Sequence, residues 1–275
     1  MMATCRGAKS VKSAQSRFGL VPPRNTLSVL FESDRMKKCI FLFVSTVWLT
    51  LVDVRAQTTV AGWTFETGSL SGASGTSPVG IGGFLSANVG TGTATALHAS
   101  SSSLWFKPAG NGSSGAFAGT TWGVGDYFQF STSTTGYSSI SVTWDQYSYE
   151  FGPRDFGVSY SVDGTNFTSA GSFVVSDVPA WNPTTPQTGS ATNFSIDLSG
   201  VSALANASTV YFRLITTSAT AVNGGAIGTF AYSVLDNFTV TGTAIPEPAA
   251  YALWFAAFAF AGISGWKRWR GQSGA

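Results

Sequence analysis

Three segments of the chain alternate apolar and polar residues with a period of two. Ile140, Val142 and Trp144 alternate with Ser139, Ser141 and Thr143. Phe156, Val158, Tyr160 and Val162 alternate with Gly157, Ser159 and Ser161, and Val210, Phe212 and Leu214 alternate with Tyr211 and Arg213. Such alternation sends successive side chains to opposite faces of a strand. Asp163-Gly164-Thr165-Asn166 after the second run reads as a tight turn, with Phe167 opening the next strand. No stretch of ten or more residues in the body has helical periodicity. The pattern predicts an all-β fold, one antiparallel β-sandwich of jelly-roll type over residues 57–244. The stretch 67–120 is rich in Gly and Ser and reads as long loops or short edge strands. Ser100-Ser101-Ser102-Ser103 and Gly110-Asn111-Gly112-Ser113-Ser114-Gly115 are its clearest loops.

Two apolar runs flank this body. The first, Ile40 to Val52, follows Lys37 and Lys38 and precedes Val54-Arg55-Ala56. A basic start, a short apolar core and small residues at −3 and −1 describe a secretory signal peptide over 36–56, cut after Ala56. An uncut membrane anchor is the other reading, although the run falls short of the roughly 20 residues a span needs. Met36 directly precedes the basic pair, so residues 1–35 are either a disordered upstream extension or an unusually long leading segment. The second run, residues 249–266, carries no charge. As a helix it would measure roughly 27 Å, enough to cross a bilayer's hydrocarbon core. The cluster Lys267, Arg268 and Arg270 would mark its cytoplasmic end. A C-terminal transmembrane helix is therefore expected beside the sandwich, with the body outside the cytoplasmic membrane.

Charge sharpens this division. The 275-residue chain has a formal net charge of +2, yet residues 57–244 hold only Lys107, Arg154 and Arg213 against nine acids. An acidic body does not track a phosphate backbone, which excludes nucleic acid as a partner. Both cysteines, Cys5 and Cys39, precede the body, so it needs no oxidising compartment and would tolerate one. With one histidine in the chain, His98, a thiolate or imidazole metal cluster is also excluded.

Ile245-Pro246-Glu247-Pro248, then the apolar run, then Lys267, Arg268 and Arg270, resembles the PEP-CTERM protein-sorting domain in all three of its parts. The resemblance implies an exosortase substrate: Pro246, Glu247 and Pro248 would be recognised by that membrane enzyme and do no chemistry themselves. Its partners would be the export translocon, the exosortase and the membrane, and its destination the envelope or the matrix of a bacterium that makes exopolysaccharide. The two prolines keep the segment extended and accessible to cleavage. Trp63-Thr64-Phe65-Glu66, Tyr160 to Phe167 and Leu235 to Val240 are similar to the globular region common in such proteins.

Candidate chemistry in the body is sparse. His98 has no Gly-x-Ser-x-Gly elbow to serve. Asp145, Glu150 and Asp155 lie near Trp144, Tyr147 and Tyr149, and define the alternative function of a secreted glycan-active hydrolase. The simpler reading is an acidic loop beside core aromatics. Asp236 continues the alternation of Val234, Phe238 and Val240, and a carboxylate among apolar side chains requires a partner. A structural Ca²⁺ shared with Glu66 would supply one, as carbohydrate-binding jelly rolls look similar in placing calcium between their terminal strands; hydrogen bonding to a backbone turn is the alternative. No other cofactor is implied. Asn111, Asn166, Asn193, Asn206 and Asn237 each begin an Asn-x-Ser/Thr triplet, which in a bacterium reads as turn chemistry. The leading expectation is a non-enzymatic, exported structural or adhesive β-sandwich that contacts exopolysaccharide through exposed aromatics.

Overall fold

The computed structural model describes residues 56–71 and 74–246. The expected extension 1–35, the expected signal peptide up to Arg55, and the tail from Glu247, on which the transmembrane helix and basic cluster were expected, lie outside the described residues. Among the described residues no helix is long and apolar enough to cross a membrane. The only helical element described is a 3₁₀ turn at Ser202–Leu204.

The fold is all-β and antiparallel. Its strands are β1 (Thr58–Trp63), β2 (Ser69–Ser71), β3 (Val79–Ile81), β4 (Val89–Gly90), β5 (Gly92–Leu97), β6 (Trp105–Phe106) and β7 (Phe117–Thr120). They continue as β8 (Tyr127–Thr132), β9 (Tyr137–Ser148), β10 (Asp155–Ser161), β11 (Thr168–Val174), β12 (Asn193–Asp197), β13 (Val210–Thr216) and β14 (Tyr232–Ala244). One layer runs β12-β9-β14-β1-β4, with β7 also on β14 and β6 on β7. The other runs β11-β10-β13-β8-β5, and β2 pairs β3 apart from both. From β8 onward the chain passes between the two layers at each connection except the β10–β11 hairpin. The Gly/Ser-rich stretch thus holds six short strands among its loops.

The alternating runs bury as their pattern requires. Ile140, Val142 and Trp144 of β9, Phe156 and Val158 of β10, and Val210, Phe212 and Leu214 of β13 all enter the core. Each such side chain contributes about 1.5–3 kcal/mol when fully buried. Phe130 of one layer stacks on Phe238 of the other, centroids 3.5 Å apart, with Trp63 edge-on to Phe130 at 5.1 Å. Val162 departs from its run and is 48% exposed. The reason is local: Ser161 Oγ already accepts from the Asp163 and Gly164 N–H groups, so the turn begins one residue early. Asp163 then accepts from the Thr165 and Asn166 N–H groups and the Asn166 amide, which holds its carboxyl well below the usual range.

The first and last strands pair, as expected of terminal strands in this architecture. Thr58 stands opposite Gly242 and Trp63 opposite Phe238. Gln57 bonds the Ser139 carbonyl and accepts from the Thr241 hydroxyl, and the Ile245 N–H donates to the Gly136 carbonyl. Both ends of the body therefore leave the sandwich at the same end of β14.

Candidate functional site

β14 breaks its alternation midway. The register against β9 slips between Asp236 and Thr239, and Asn237 takes a φ of 51°, left-handed for a non-glycine residue. A bulge of this kind adds one residue and reverses the faces beyond it. Leu235, Phe238 and Val240 consequently point into the inter-sheet core, while Val234 joins a second cluster with Ala118, Tyr147 and Trp181 on the outer face. Asp236 therefore does not share one face with Val234, Phe238 and Val240. It lies fully buried on the outer face, directly across from Asp145 of β9.

These two aspartates are held by asparagines and loops. Asp236 Oδ2 accepts from the Asn111 N–H and the Ser113 hydroxyl, each at 2.9 Å, and Oδ1 from the Asn237 N–H at 2.8 Å. Burial nevertheless dominates, with a push from Asp145, and raises the Asp236 carboxyl to about 7. Asp145 Oδ2 accepts from the amides of Asn111 (3.0 Å) and Asn237 (2.8 Å), and its Oδ1 from the amide of Asn193. Asn111 also exchanges bonds with the Gln187 backbone, at 2.8 and 2.6 Å. The network thus pins two loops, around Asn111 and around Gln187, to the sheet.

Glu66 is not part of this set. It is exposed, and what the fold uses is its carbonyl, which accepts from Lys107 Nζ at 2.7 Å. The groups around Asp236 are N–H and O–H donors, whereas Ca²⁺ takes six to eight oxygens. They suit the hydrogen-bonded alternative. Among the described residues, no three His, Cys, Asp or Glu side chains group as metal ligands.

The three acids near Tyr147 and Tyr149 do not share a cleft. Asp145 is in the network above, Glu150 is exposed in a turn, and Asp155 in the other layer bonds Arg154 and Ser218. Arg154 and Ser218 together hold the Asp155 carboxyl below its usual range. His98 is buried between Trp105 and Trp122, centroids 4.4 and 4.2 Å away. Its Nδ1 meets the Ser103 hydroxyl and the Thr120 carbonyl, both at 3.0 Å, and lies 3.9 Å from Asp126. A catalytic base needs its acid on one ring nitrogen and its nucleophile on the other. Here both crowd Nδ1, and the buried Nε2 has no partner. Desolvation lowers the ring to about 4, so it stays neutral.

Two surface features remain. An open depression of about 380 Å³ lies over β12, β9 and β14, lined by Thr143, Asp145, Asn193, Ser195, Asn237 and Thr239, with Trp144 and Phe194. At the opposite end of β14 from the termini, Tyr149, Phe151 and Phe230 are 47%, 45% and 75% exposed. Tyr149 stacks on Tyr232 at 5.2 Å, and the Gly228 N–H donates to the Phe151 carbonyl, so the two loops carrying these rings form one surface. The sequence reading missed the joint role of Asn111, Asn193 and Asn237. Asn237 next to Asp236 was the one local signal; the β12–β9 register brings Asn193 to Asp145, and a loop brings Asn111.

No protein-family model matches the chain, and no curated protein matches it. Among solved structures it is similar to the K2 cleaved adhesin domain of Lys-gingipain, at 16% identity and a TM-score of 0.38, over 67% of this chain and 97% of that one. It is also similar to the CBM22-1–GH10 modules of xylanase 10B from Clostridium thermocellum, at 12% identity and a TM-score of 0.38, over 69% and 29%. A third is the CBM36-1 domain of a multidomain xylanase from the hindgut metagenome of Trinervitermes trinervoides, at 12% identity and a TM-score of 0.30, over 70% and 100%. Likeness this distant carries no functional information.

Proposed function

We propose that the protein is an exported, non-enzymatic β-sandwich that serves a structural or adhesive role at the cell surface or in the extracellular matrix. Its signal segment is removed after Ala56 following passage through the translocon. The tail from Ile245, with Pro246-Glu247-Pro248, the apolar helix and the Lys267, Arg268 and Arg270 cluster, holds it in the membrane until an exosortase-type enzyme processes it. One observation supports this reading above others. Both ends of the body leave at one end of β14, while the exposed Tyr149, Phe151 and Phe230 sit at the other. The 13 residues of β14 span roughly 40 Å at the usual strand rise. A body tethered by its tail would therefore present its aromatics away from the membrane, where rings of this kind can stack on exopolysaccharide. The scattered acids support the non-enzymatic reading over the hydrolase.

Intact-mass analysis of the exported protein, in cells with and without the sorting enzyme, tests the proposal. The expected mature chain begins at Gln57 and loses its tail only when the enzyme is present. A cytosolic product that keeps both apolar ends would overturn it.

A further inference from the structure

We infer that the depression over β12, β9 and β14 is a binding site for an uncharged glycan. The inference rests on the reading that the protein meets polysaccharide, and it names both the place and the chemical class of the ligand.

The depression is concave, and its volume of about 380 Å³ falls within the range of small-ligand sites. Its lining sets hydroxyls, amides and one carboxylate, the groups that exchange hydrogen bonds with a polyhydroxylated ligand, beside the apolar surface of Trp144 and Phe194. Among the described residues, the hydroxyls of Thr143 and Ser195 and Oδ1 of Asn237 make no hydrogen bond within the protein, so they are free to meet one. The remaining polar groups are fixed. Asp145 takes the amides of Asn193 and Asn237, and the Asn193 Oδ1 accepts from the Gly189 N–H at 2.6 Å. Asn237 reaches this position only through the bulge and its left-handed backbone, which asparagine adopts more readily than most side chains. A wall locked in this way loses little freedom when a ligand arrives.

Charge then selects the ligand. Lys107, Arg154 and Arg213 are the three cations of the described body. Lys107 donates to the Glu66 and Gly68 carbonyls, and Arg154 pairs with Asp155 at 2.9 Å. Arg213 lies between the rings of Tyr127 and Phe167, 4.0 and 3.6 Å from their centroids. None of them lines the depression, whose only ionisable residue is Asp145. A uronate or sulfated polymer would meet a carboxylate with no cation to offset it.

The test is calorimetric titration of the full chain with short neutral oligosaccharides, namely hexamers of β-1,4-glucan, β-1,3-glucan and α-mannan, beside a polyuronate hexamer. The expected result is binding of at least one neutral hexamer and none of the uronate. Ser195→Tyr, which fills the depression from an exposed position, and Asn237→Gly, which suits the positive φ while removing the amide, should each weaken binding at least tenfold. Val162→Ala, in the turn after β10 and outside the depression, should leave the affinity within twofold, and a cooperative melting transition in each variant shows that it still folds. Preference for the uronate would overturn the inference. So would neutral binding that survives both Ser195→Tyr and Asn237→Gly but falls with Tyr149→Ala; the polysaccharide reading would then stand with its contact at the aromatic end. Failure of every hexamer to bind would remove the site, while the processing of the two termini would still test the sorting reading on its own.

Discussion

The pockets around His98 and Asp236 each bury a titratable group beside a carboxylate, Asp126 and Asp145 respectively, and surround it with opposite kinds of wall. His98 lies between two tryptophan rings and keeps one nitrogen bare. Asp236 receives three hydrogen bonds from a loop and a bulge. Burial nonetheless dominates in both, and because one group is a base and the other an acid, the same cost moves them in opposite directions. His98 falls from 6.5 to about 4, and Asp236 rises from 3.8 to about 7. Both are thus kept neutral through the mildly acidic range, one as a filler of an aromatic wall and the other as the keystone of a loop anchor.

The largest expected effects follow from the sign of each shift. The unfolded chain protonates His98 below 6.5 while the folded chain resists, so this pocket's contribution is complete above 6.5 and lost as pH falls toward 4. At most about 3 kcal/mol is at stake. For Asp236 the unfolded chain ionises above 3.8 while the folded chain resists, so its contribution is complete below 3.8 and lost as pH rises toward 7. That loss amounts to at most about 4 kcal/mol. Between pH 4 and 6.5 the two slopes oppose and largely cancel. His98→Phe, which still fills the space between the tryptophans, should leave a protein whose stability falls as pH rises from 4 to 7. Asp236→Asn should leave one whose stability falls as pH drops from 6.5 to 4. Urea unfolding at several pH values measures both, and two variants that stay parallel to the wild type would break the comparison.

A smaller effect probes how tightly each wall is packed. A Cβ on Gly119 would stand 2.5 Å from the Trp105 ring and 3.3 Å from His98 Cε1, and one on Gly110 would stand 1.9 Å from Ser113 Oγ, 2.4 Å from the Gly115 carbonyl oxygen and 2.5 Å from Asp236 Oδ2. Overpacking of this kind costs about 1–3 kcal/mol. Gly119→Ala should lie within that range, because the atoms it would meet belong to side-chain rings. Gly110→Ala should cost more than Gly119→Ala, because its Cβ would meet a backbone carbonyl and the network around Asn111 holds this loop to the sheet. Gly200→Ala, which meets nothing, should melt with the wild type. A smaller loss at Gly110 than at Gly119 would show that the loop yields where the core does not.

The same contrast explains what the chain made legible. The period-two runs identified β9, β10 and β13 and the residues they bury, because a strand's two faces are written in adjacent letters. The pairing of the terminal strands followed from the architecture. The pocket around His98 was invisible, since Ser103, Trp105, Thr120, Trp122 and Asp126 converge on it from separate loops and strands. Asp236 was singled out correctly as a carboxylate in need of partners, but the predicted face was wrong for part of the strand. A single inserted residue, Asn237, sends Phe238 and Val240 to the other side, and nothing in a local pattern announces a bulge. Its consequence was long-range: donors from Asn111 and Ser113, more than 120 positions away in sequence, took the place assigned to Glu66.

The smallest effects concern how the Asp236 proton is held. Ser113 Oγ lies 2.9 Å from Asp236 Oδ2 and 3.1 Å from the Gly115 carbonyl. When Asp236 is neutral its O–H can donate to Ser113, which in turn donates to Gly115. When it ionises, Ser113 must turn to donate to the carboxylate and release the carbonyl. Ser113→Ala removes both arrangements, at a cost of about 1 kcal/mol. Because the Ser113 hydrogen bond favours the ionised form, its loss should also move the Asp236 titration upward, as read from the carboxyl carbon resonance. Chelation should do nothing at all: with donors on both oxygens of Asp236, a chelator has no bound cation to remove, and the melting temperature should not change. A fall on chelation would mean that the asparagine amides turn their oxygens inward around a metal ion. The contrast between an aromatic wall and a hydrogen-bonded one would then have to be redrawn as one between an aromatic wall and an ionic one.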